Sequence, residues 1–62
     1  MKYTLVGVNG NAFSVMGYVK NAMRKEGMSK EDITKYREDV MIGDYNHLLR
    51  VSMAMVNKLN GD

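Results

Sequence analysis

Lys2-Tyr3-Thr4-Leu5-Val6-Gly7-Val8 is the stretch on which the fold of this chain turns. It is rich in β-forming residues and reads as a strand. No other stretch does. A lone strand leaves backbone N–H and C=O groups unpaired on both edges. The expected partner is therefore the same segment of another copy, paired antiparallel across a symmetry axis. Such a ribbon is marginal unless helices cover one face. The expected fold class is α+β, with one N-terminal strand paired between protomers and the order β-α-α-α. Residues 1–62 form a single domain in a homo-oligomer, a dimer or a tetramer.

Size points the same way. Chains of about 60 residues bury only about 60% of the surface they expose when unfolded, and the usual supplements are disulfides, a metal or oligomerisation. The chain has no cysteine and one histidine, His47, so disulfides and zinc sites built from these residues drop out. Oligomerisation is left. No run is long and apolar enough for a membrane span or a secretory signal, which suggests a soluble, cytoplasmic protein. The net charge is +2. Residues 1–28 carry four cations against one anion, and residues 29–44 three cations against five anions. A basic patch of this kind suits a small anionic ligand better than a long duplex.

After the strand, Asn9-Gly10-Asn11 is a strong turn signal. From Ala12 the apolar residues fall at 12, 15, 16, 19, 22 and 23, which is helical spacing. Asn11 is the natural N-cap, and the helix ends near Gly27. Ser29 caps a second helix, with Asp32 at N3 and Met28 and Ile33 as a hydrophobic staple. Ile33, Tyr36 and Val40 share its inner face, Glu31 and Lys35 pair along it, and Gly43 closes it. Asp44 caps a third helix, Tyr45 to about Leu59. Its apolar set is wide, running through Leu48, Leu49, Val51, Met53, Ala54, Met55 and Val56, so it needs cover on more than one side. That again suggests a subunit interface.

Three places invite chemistry. The loop holding Asn9 and Asn11 leads into a helix N-terminus, where free N–H groups suit an anion. The plain reading is a turn and a cap. Along the first helix, Phe13, Gly17, Lys20 and Arg24 form one stripe at spacings of four, three and four. An aromatic plane stacks a base, a glycine gives room, and the two cations meet phosphates. The plain reading makes Phe13 core, Gly17 a helix-packing site and the cations a solvated face. At the start of the third helix, Tyr45, His47 and Arg50 are second-side candidates. The plain reading makes Asp44 a cap, sets Tyr45 at the core rim and leaves His47 exposed or paired. No residue set suggests catalysis, since Ser14 and Ser52 lack a neighbouring base. The expectation is no enzyme, no cofactor and no metal.

The pattern Gly10-Asn11-Ala12-Phe13, Met16-Gly17, Arg24-Lys25, Gly27, Ser29-Lys30-Glu31 and Gly43-Asp44-Tyr45-Asn46-His47-Leu48-Leu49 runs over nearly the whole chain. It resembles a widespread family of small phage and bacterial proteins, and it is similar to the phage anti-CBASS sponge proteins. The resemblance implies immune evasion in the host bacterial cytoplasm. A cyclic dinucleotide such as 3′,3′-cyclic GMP–AMP would be sequestered without cleavage, in pockets between subunits. The ligand-facing residues would then be Asn9, Asn11, Phe13, Gly17, Lys20 and Arg24, with Tyr45, His47 and Arg50 opposite. Two other functions fit the composition. One is a protein-binding module or inhibitor of a host protein, using the acidic second helix. The other is a small nucleic-acid binder, which the weak net charge disfavours.

Overall fold

The computed structural model describes residues 2–61, in which the chain forms three helices: α1 (Ala12–Lys25), α2 (Lys30–Met41) and α3 (Tyr45–Leu59). Each begins where a side chain accepts from an otherwise free backbone N–H. Asn11 Oδ1 accepts from Phe13 N at 2.8 Å, Ser29 Oγ from Asp32 N at 3.1 Å and Asp44 Oδ1 from His47 N at 2.9 Å. A cap of this type contributes about 1 kcal/mol. α1 ends in a Schellman motif. Met28 N–H reaches Met23 O and Gly27 N–H reaches Arg24 O, both at 3.0 Å. Gly27 takes the left-handed conformation that this ending requires, at φ +80°.

α1 packs most extensively on α3, α2 packs next on α3, and α1 and α2 meet least. α1 buries Val15, Met16, Val19, Ala22 and Met23, and α2 buries Tyr36 and Val40. The inner face of α3 is Leu48, Ser52 and Val56. Ser52 is 0% exposed, and its Oγ lies 2.6 Å from Tyr36 Oη. Each buried hydroxyl thereby gives the other a hydrogen-bond partner.

The expected α+β class is not what forms. Among the described residues there is no strand, and the fold is all-helical. Lys2 to Val8 is an irregular segment lying against the helices, with Tyr3 in the core. Two local facts explain this. Gly7 sits at φ +85° and Val8 N–H returns to Leu5 O at 3.1 Å, so a turn interrupts the β-rich run. The backbone is also satisfied within the chain. Lys2 N–H and Tyr3 N–H both donate to Asn60 Oδ1, at 3.1 and 2.8 Å, and Asn60 Nδ2 donates back to Tyr3 O at 2.8 Å. Thr4 N–H donates to Tyr18 Oη at 3.0 Å. One amide side chain and one phenol take the place of a neighbouring strand, so an intermolecular ribbon is not required.

Candidate functional site

α1 carries the stripe from Phe13 to Arg24, about 16 Å long at 1.5 Å rise per residue. Phe13 is 74% exposed. Gly17 faces open space, since a Cβ built there would meet nothing within 4 Å. Lys20 is half-buried and Arg24 is exposed, with one guanidinium N–H donating to Asn21 Oδ1 at 2.9 Å. The aromatic ring, the gap and both cations thus lie along one accessible helix face.

At its N-terminal end the stripe meets α3. Tyr45 Oη donates to Gly10 O, which ties the start of α3 to the loop before α1. Phe13 and Tyr45 both line a cleft of about 210 Å³, floored by Met16, Val40 and Leu48 and bordered by Met41 and Asp44. The structure therefore brings Phe13 and Tyr45 together. The two asparagines beside them are occupied in building the turn. Asn9 Oδ1 accepts from Asn11 N at 2.9 Å, and Asn11 Oδ1 caps the helix.

Two second-side candidates are placed elsewhere. His47 is committed to α2, with its Nε2 3.0 Å from Asp39 Oδ1 and 3.1 Å from Asp39 O. Both partners are acceptors, so Nε2 carries the proton. Arg50 is exposed more than one turn beyond Tyr45, about 7 Å further along α3.

Other features were not visible in the sequence. A cleft of about 390 Å³ lies between the N-terminal segment and α3, lined by Tyr3, Leu5, Val6, Met53 and Val56. Val6 stands 87% exposed at its edge. A second groove of about 260 Å³ runs beside α1 between Lys2, Tyr3, Tyr18, Asn21 and Lys25. Next to it, Glu26 Oε2 accepts from Lys2 Nζ and Tyr3 Oη, each at 2.7 Å. Those bonds, that from Lys2 first, hold the Glu26 carboxyl below its usual range and raise both donors. Both hollows depend on where residues 2–6 lie, and no helical period covers that segment. Among the described residues no group of three or more His, Cys, Asp or Glu side chains is placed to hold a metal ion. No helix there is long and apolar enough to cross a membrane.

Comparison with protein-family models, with curated proteins and with solved structures finds no match to the chain.

Proposed function

We propose that the protein is a sponge for cyclic dinucleotides such as 3′,3′-cyclic GMP–AMP, holding the signal without cleaving it. One observation carries this reading: the lone phenylalanine is exposed, in line with an open glycine and two cations. The plain alternatives fail at both uncharged positions of the stripe. Phe13 is not in the core, and among the described residues nothing packs over Gly17. A base would stack on Phe13 beside Tyr45, and the phosphates would meet Lys20 and Arg24. Nanomolar binding corresponds to about −12 kcal/mol. Two stacked bases at about 1–3 kcal/mol each fall short of that. Charge-assisted phosphate bonds and a preformed pocket would supply the remainder. A dimer or tetramer would bring a second set of side chains over the stripe. The exposed Met53, on the wide apolar set of α3, favours such association.

Calorimetric titration with a panel of cyclic dinucleotides tests the reading. Absence of both heat and thermal shift with every member overturns it. Gly17→Ala sharpens the test, because alanine there stabilises the helix by up to about 1 kcal/mol. The same methyl group enters the space meant for the ligand. The expected result is a higher melting temperature together with binding weaker by about tenfold, ~1.4 kcal/mol. Arg24→Ala should weaken binding without unfolding the chain.

A second reading has its own observation. Ile42 is 83% exposed beside the exposed Met41 at the end of the acidic α2, as a protein-binding module would have it. A host protein retained by the wild type and lost by Ile42→Asp would favour this function over the sponge.

A further inference from the structure

Two Asn-Gly pairs occur in the chain, Asn9-Gly10 and Asn60-Gly61. This is the dipeptide most open to attack by a backbone nitrogen on the preceding side-chain amide, because glycine has no side chain to shield that nitrogen. The fold treats the two pairs in opposite ways. We infer that Asn9 is a site of spontaneous deamidation in the native protein and that the fold protects Asn60.

Asn9 is exposed, and its Oδ1 accepts from Asn11 N at 2.9 Å. That bond curls the side chain forward over the Gly10 peptide. Among the described residues the Gly10 N–H has no acceptor, so nothing holds its nitrogen back. At Asn60 both ends of the amide are engaged. Its Oδ1 accepts from Lys2 N and Tyr3 N, and its Nδ2 donates to Tyr3 O. The attacking nitrogen is engaged too, since Gly61 N–H donates to Lys58 O at 3.1 Å. Reaction at Asn60 requires the N-terminal segment to open first.

The step needs only base and water. Base removes the Gly10 N–H proton, and the nitrogen forms a bond to Asn9 Cγ. The Cγ–Nδ2 bond breaks and ammonia leaves, giving a five-membered succinimide. Water adds to either ring carbonyl and opens it to aspartate or isoaspartate. Net, one water is consumed and one ammonia released, without an oxidant or a cofactor. The product places a new carboxylate in the turn before α1, where the helix dipole favours it. Either product is more acidic than the parent chain by one charge. On the ligand reading above, that charge would oppose an anionic guest, but the modification does not depend on that reading.

The test is peptide mass mapping of the full chain after incubation in warm, mildly alkaline buffer. The Asn9 peptide should gain one mass unit at least about tenfold faster than the Asn60 peptide, as expected when one site reacts only after local opening. In urea the two rates should converge. Comparable rates in the folded protein overturn the inference, and so does a difference that persists in urea. Gly10→Ala checks the route. A Cβ there would sit 3.5 Å from Tyr45 Oη, an ordinary contact, so the variant folds. It should deamidate at Asn9 several-fold more slowly, and an unchanged rate rules out attack by the Gly10 nitrogen.

Discussion

Asn60 Oδ1 serves two backbone donors of the N-terminal segment, and Asn60 Nδ2 serves one acceptor. Asn60→Ala removes all three bonds and should cost about 1–3 kcal/mol, read by chemical denaturation. Asn60→Asp should also destabilise, because it keeps the acceptors but sets a carboxylate against the Tyr3 carbonyl. Tyr36 and Ser52 form the other decisive pair. Either single truncation, Tyr36→Phe or Ser52→Ala, strands a buried hydroxyl and should cost about 1–3 kcal/mol. The double variant should recover part of that loss, and full additivity in a double-mutant cycle would count against the pairing. Neither residue announced its role. Ser52 interrupts an apolar list, and Asn60 follows the end of the third helix. A hydrogen bond between residues 57 positions apart has no local signature.

At the scale of the elements, the three helices and their caps were legible because capping chemistry is local. Asn11, Ser29 and Asp44 each precede the N–H groups that they satisfy. Gly43 follows the C-cap Ile42 of α2, and its role is steric. A Cβ there would fall 2.5 Å from His47 Cγ and 2.6 Å from His47 Cβ, so the glycine makes room for the His47 side chain at the start of α3. Gly43→Ala should displace the start of α3 and cost about 1–3 kcal/mol, as overpacking does. The checks are the thermal midpoint and loss of the His47–Asp39 contact in imidazole NMR. The α1 stripe was legible as well, because helical spacing alone aligns Phe13, Gly17, Lys20 and Arg24. Their exposure was not, since either face of a short amphipathic helix can carry an aromatic residue.

Across the whole molecule, stability should fall at both ends of the pH scale. Glu26 has a lowered pKa, through its bonds from Lys2 and then Tyr3. Its contribution is present above the ordinary glutamate range and is lost as pH falls through the lowered folded value. Glu26→Gln should flatten that acid limb in a thermal unfolding series. At alkaline pH, Tyr36 is raised by burial and Tyr3 by its hydrogen bond to Glu26. Their contributions are intact below the ordinary tyrosine range and are lost as pH rises through the folded values.

Read alone, the sequence determined the three helices, where each begins and, for α1 and α2, which faces turn inward, because propensity, capping and periodicity act over a few residues. The course of residues 2–8 was decided only by the tertiary structure. The β-rich composition favoured a strand, but Gly7 turned the chain, and Asn60 and Tyr18 met backbone groups that a neighbouring strand would otherwise have taken. Partners that distant in sequence come together only when the core closes.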